Sequence, residues 1–285
     1  MKYKLPDIDL SSDVFLYCGG SKRKATATDV IFINPNLILV SSLLGRKIYL
    51  IDITDNQFNI IDEIEFDGYV DLMDYKDGVL CTSNAKHKKL KSSYSIFKIE
   101  NNKIIHIKTT DIEIDVRLHG VLFIDESNII LGSNDERHSG LYFVNLKNEK
   151  IYNTIKMKLR IKDICFYKDF LLVVGSETSP SGTKVDVTKS VLYQYDFKTL
   201  KLINTLEIKG QADAVCMNGD DGFITLQCEH SVAHFKFENE KPILIKYIKG
   251  FDFPHGIDIN YDKVCVTNYG TNSVDILNYN EFIWM

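Results

Sequence analysis

The chain has 285 residues, of which 45% are apolar and 26% charged, with a formal net charge of −5. That composition is globular and excludes a disordered, collagenous or disulfide-scaffold protein. The acidic balance argues against a dedicated nucleic-acid binder, and the lack of any apolar stretch of about 18 residues argues against a membrane span.

In chain order, the opening MKYKLPDIDLSSD has no apolar segment of the kind a secretory signal needs, so a cytoplasmic chain is expected. The run VFLYCGG, Val14 to Gly20, then stands alone before a pattern that repeats to the end. Each unit starts with a polar anchor followed by an apolar run. The anchors are Asp29, Asp71, His119, Asp163, Asp213 and His255. A second apolar run follows and ends in small polar residues, as in LILVSS, GVLCTSN and KVCVTN. A third run follows in all units and a fourth in the first five. The residues alternate with a period of two and are rich in Ile, Val, Tyr and Phe, which signals strands, and no helical period is visible.

Four strands in a unit of about 45 residues predict an all-β chain folded as a six-bladed β-propeller. The sixth unit lacks its fourth strand, and Val14–Gly20 is expected to supply it and close the ring. One domain over 1–285 is the reading. A seven-bladed ring is the alternative, but it needs a seventh anchor that is not found.

The architecture places candidate chemistry. In each blade the start of the first strand and the end of the second meet at one mouth of the central channel. The six anchors then form one ring, with His119 facing His255 and Asp71 facing Asp213. Several carboxylates in one channel repel each other. They must cap neighbouring amides, bind a cation, or line a metal-free polar pocket. Imidazoles beside carboxylates suit zinc, iron or manganese, and oxygen ligands alone suit calcium. The metal candidates are Asp29, Asp71, His119, Asp163, Asp213 and His255, with His119 and His255 also as the acid–base pair. Around the mouth, Asn84, Asn134, Arg137, His138, Glu177, Glu229, His230 and Asn268 are the candidate ligand-binding residues. Basic loops, among them SKRK at 21–24 and KHKKLK at 86–91, make a rim suited to an anionic small molecule. The loop from Glu177 to Ser190 is placed as a partial lid. The six cysteines form no CxxC pair and read as buried, reduced thiols. GxSxG, P-loop and HExxH motifs are absent.

The segment FPHGIDINYDKVCVTNYGTNSVDILN, Phe253 to Asn278, resembles a YVTN-type propeller repeat through PHGI and VTNYGTNSV. That resemblance implies kinship with the wider group of NHL-type, gluconolactonase-like, streptogramin-lyase-like and amidating-lyase-like propellers. It implies six or seven blades with ligands near the axis, held in the metal-using members from the starts of innermost strands. The chain departs from the glutamate-plus-asparagine ligand pattern of the gluconolactonase-like members. It also has two anchor histidines, not the three of the amidating-lyase-like zinc site.

The expectation is a metal-dependent hydrolase or lyase acting on a small polar, anionic substrate, with no nucleic-acid or membrane partner. The alternative is a non-catalytic scaffold, ligand-binding or sensor propeller, with a protein partner in the scaffold case.

Overall fold

A computed structural model describes residues 1–6, 16–18, 21–23, 27–84, 91–135, 138–177, 189–260 and 262–285. They form six four-stranded antiparallel sheets, and each unit of the repeat is one blade of a six-bladed propeller. The innermost strands are Ala27–Asn34, Val70–Lys76, Leu118–Asp125, Leu159–Tyr167, Ala212–Asn218 and Pro254–Asn260. Each packs against the next, and Pro254–Asn260 packs back on Ala27–Asn34, so the ring closes. Two-residue hairpins join the third and fourth strands of blades two and five. Asn101–Asn102 and Asn239–Glu240 both take positive φ at the two central positions, the geometry that matches strand twist.

An N-terminal strand closes the ring as expected, but it is not the expected segment. Lys2–Lys4 pairs with Ser273–Asn278, with Tyr3 opposite Val274, and completes the sixth blade. Within Val14–Gly20, Leu16–Cys18 instead pairs with Ser21–Arg23 in a separate two-stranded sheet. The segment Lys2–Lys4 is short and lysine-rich, and its polar alternation hides it from a search for apolar runs. Its edge position requires little burial, and Tyr3 stacks on Phe58 with 4.8 Å between ring centroids. The second departure is a helix, Tyr279–Trp284, capped by the Asn278 side chain accepting from the Asn280 amide. Six residues are too few to show a helical period. It is held by Phe282, which is fully buried against Phe223 and Phe251.

The core lies between blades rather than along the axis. Leu39, Ile48 and Leu50 of blade one, for instance, interlock with Val70, Leu80 and Phe97 of blade two. At roughly 25 cal/mol per Å² of apolar area removed from water, these interblade seams are the main stabilising term. The axis is thereby left to polar side chains. No helix among the described residues is long and apolar enough to cross a membrane.

Candidate functional site

A bulge near the start of every innermost strand builds the site. In blade one Ala27 pairs with Ser42 and Val30 with Val40, so two residues face only one. The same extra residue occurs after Val70, Leu118, Ile161, Ala212 and Pro254. Bulges turn a side chain away from the pleat. Here the turned residues are Thr28, Asp71, His119, Lys162, Asp213 and His255. The small polar residues of the second strands stabilise the bulges. Hydroxyls of Ser41, Ser83, Thr225 and Thr267 accept the N–H of Asp29, Leu72, Ala214 and Gly256. Thr225 and Thr267 also donate to the next blade, at the carbonyls of His255 (2.5 Å) and Thr28 (2.8 Å).

Alignment by register therefore shifts two expected anchors by one residue. Lys162 and Thr28 occupy the axial ring where Asp163 and Asp29 were expected. Asp29 and Asp163 turn sideways and join Asp74 and Asp258 in a second tier. Each of these four carboxylates accepts the next amide of its own strand and one from the following blade. Asp29 takes Val30 and Met73, and Asp74 takes Tyr75 and Phe123. Asp163 takes Ile164 and Val215, and Asp258 takes Ile259 and Phe32. These clasps surround an axial cavity of about 200 Å³ that Cys165 and Cys216 also line. Burial raises the carboxyl pKa of Asp74 to about 7, Asp163 to about 8 and Asp258 to about 6, against the pull of the amides. Asp29 is pushed well up by burial and by Asp163.

The upper tier is different in kind. Asp71, His119, Asp213 and His255 are all at most 4% exposed. The rings of His119 and His255 stack at 5.5 Å, and Tyr269 stacks on His255 at 5.4 Å. His119 Nδ1 lies 2.6 Å from the Lys162 carbonyl. A carbonyl can only accept, so Nδ1 carries the proton and Nε2 is a bare acceptor. That Nε2 sits 4.0 Å from Asp71 Oδ1 and 3.9 Å from Asp213 Oδ1. Asp71 Oδ2 and Asp213 Oδ2 are buried with no hydrogen bond. Asp213 Oδ1 accepts from the Lys162 ammonium. Ligand atoms of Asp71, His119 and His255 lie within 4.8 Å of one another. Burial, with smaller contributions from Lys162, His255 and Arg117, holds His119 well below its ordinary pKa. Burial also lowers His255, although Asp213 opposes it. Burial raises Asp71 to about 6 despite the attraction of Arg117 and Lys162.

The expected ligand-binding residues divide. Asn84 donates to Ser93 and Ser95 and accepts from Thr82, so it is spent within its blade. Asn268 is likewise spent on Asp275 and the Asp252 amide. Asn134 accepts from Arg160 Nε at 3.0 Å. Glu229 lies beyond the end of its strand and accepts the Gln211 amide. His230 is half-exposed and packs on Phe253. His138 is exposed, with its carbonyl accepting from Tyr142. Arg137, residues 86–90 of the basic run and residues 178–188 of the expected lid fall outside the described residues. Glu177 is described only as the end of its strand, opposite Leu159. Lys162 and Arg117 were missed. Counting two residues back from the first apolar residue of each run would have found Lys162, but Arg117 sits on a link that carries no repeat signal.

No protein-family model matches the chain, and no curated protein is significantly similar to it. Solved structures do match in shape. The WD40 β-propeller domain of Doa1 is 11% identical with a TM-score of 0.63, over 89% of this chain and 93% of that one. A protein from Lactobacillus plantarum is 13% identical with a TM-score of 0.60, over 88% and 80%. A Bacteroides fragilis protein provisionally named a 6-phosphogluconolactonase is 12% identical with a TM-score of 0.59, over 88% and 80%. At such identities the likeness shows the β-propeller fold alone.

Proposed function

We propose that the protein is a cytoplasmic propeller enzyme that binds a divalent metal ion on its axis. It hydrolyses, or eliminates from, a small polar substrate of anionic character. One observation carries the reading. A bare imidazole nitrogen and two buried carboxylates converge, two of the carboxylate oxygens are unpartnered, and among the described residues Lys162 is the one side-chain donor hydrogen-bonded to the group. Converging acceptors in a dry site are costly unless a cation joins them. Asp71, His119 and His255 would hold the ion. Two imidazoles with a carboxylate favour zinc, iron or manganese over calcium. A bound ion of this kind supplies Lewis acidity and an activated water. Asp213, fixed by Lys162, would accept a proton from substrate or water. Asn134, which orients Arg160, remains a substrate-binding candidate; Asn84 and Asn268, being spent, do not.

The test is elemental analysis of the purified chain, with His255→Ala and Asp71→Asn alongside. About one equivalent of metal in the parent and a marked loss in both variants is expected. No metal in the parent after incubation with zinc and manganese overturns the reading. The burial of the cluster favours one second reading, a ligand-binding or scaffold propeller whose ion is structural. There, removing the metal lowers the melting temperature while no ester, lactone or elimination substrate is turned over.

A further inference from the structure

The mouth of the axis is asymmetric in charge, and the metal reading leaves that unused. The six turned residues repeat as a pseudo-twofold pattern: His119, Lys162 and Asp213 in blades three to five match His255, Thr28 and Asp71 in blades six, one and two. The only break is Lys162 against Thr28. Arg117, on the link into blade three, adds to the same side. Its Nε is buried without a hydrogen bond, and it forms no salt bridge among the described residues. Its charge is felt at Asp71, His119 and His255, so it lies beside the axis. It is also held in place. The Arg117 carbonyl accepts the Asn134 amide at 2.7 Å, and the Asn134 side chain accepts from Arg160. Lys162 is 14% exposed and reaches inward to Asp213.

We infer that Arg117 and Lys162, with Arg160 behind them, form an oxyanion seat at the axial mouth that takes a carboxylate or phosphate group of the ligand. Arg117 is the specific element, because a guanidinium presents parallel N–H donors to a two-oxygen edge. The charges agree. The two carboxylates of Asp71 and Asp213 stand against the Lys162 ammonium and the Arg117 guanidinium. A divalent ion would then leave surplus positive charge, which an anionic ligand would neutralise. That arithmetic rests on the metal reading, but the seat itself does not need the ion. The inference also says where the anionic group lies: on the blade-three and blade-four side, away from Thr28.

Calorimetric titration of the full chain with inorganic phosphate and with malonate, each with and without one equivalent of zinc, tests the seat. Binding of at least one anion is expected in the parent. Arg117→Gln weakens it by roughly tenfold or more, and Arg117→Lys, which keeps the charge without the fork, weakens it less. Lys168→Gln, which removes a lysine paired with Asp220 away from this mouth, leaves it unchanged. Circular dichroism confirms that each variant is folded. Absence of heat for both anions up to about 10 mM overturns the inference, as does equal affinity in folded Arg117→Gln and parent. So does an equal loss in Lys168→Gln, which would show only a general charge effect. His255→Ala separates the two proposals. Anion binding retained in this variant, which should lose the metal, upholds the seat without the ion, whereas a parent that binds anion but takes up no metal upholds the seat while the axial-ion reading falls.

Discussion

Lys162 competes with any axial cation, because its ammonium occupies one oxygen of Asp213. Lys162→Thr copies the residue of the opposite half-ring and frees that oxygen. Zinc affinity, read against a chelating dye, should rise by about tenfold, the effect of removing one nearby like charge at short range. The side-chain chemistry at this scale was half legible. Asp71, His119, Asp213 and His255 are polar residues ahead of apolar runs, and a turned residue can hardly be anything else. Asp29 and Asp163 carry the same pattern one residue later and look identical in sequence. A one-residue shift changes the face a side chain takes, and composition does not record it. Their fate, two amides apiece, is set by blades more than 40 residues away in the chain, as the Met73 and Val215 contacts show.

Among the elements, the bulged strand start has its own glycine requirement. Gly256 follows His255, and a Cβ there would lie 2.6 Å from the Asp29 Cα and 2.5 Å from its Oδ1. Gly256→Ala should cost about 1–3 kcal/mol by overpacking and loosen the seam between blades six and one, read as a lower urea midpoint. Gly120 repeats the arrangement less tightly, its Cβ position lying 3.3 Å from the Asp163 Cα. Gly120→Ala should therefore cost less. The clasps make a parallel prediction. Asp258→Ala strands the part-buried amides of Phe32 and Ile259 and should cost about 1–3 kcal/mol in thermal unfolding. The blades themselves were legible because strand period and unit length are local. The fourth strand of blade six was not, because its partner lies at the other end of the chain and its sequence is polar.

For the molecule as a whole, the lower tier sets a pH dependence. Asp74, Asp163 and Asp258 have carboxyl pKa values raised to about 7, 8 and 6, above the unfolded value near 4. A raised carboxyl favours the folded state most when protonated. Its contribution is fully present below about pH 4 and is lost as the pH rises through 6 to 8. The melting temperature should therefore fall by several degrees between about pH 5 and pH 8.5. Asp163→Asn, neutral at every pH, should flatten that slope, and a slope unchanged in the variant would show that Asp163 does not titrate there. Seams that bind every blade to two others predict a single unfolding transition in urea, whereas separate domains would show two.

The pairing of Lys2–Lys4 with Ser273–Asn278 also orders events in time. The strand that closes the ring leaves the ribosome ahead of its partner, which emerges about 270 residues later. At roughly 5–20 residues per second that is a wait of about 15 to 50 s. Five blades can gather during synthesis, but Lys2–Lys4 stays unpaired and available to other chains until Ser273–Asn278 emerges. A bulky fusion placed ahead of Lys2 would obstruct the last step of assembly, and the same fusion after Trp284, which is 85% exposed, would not.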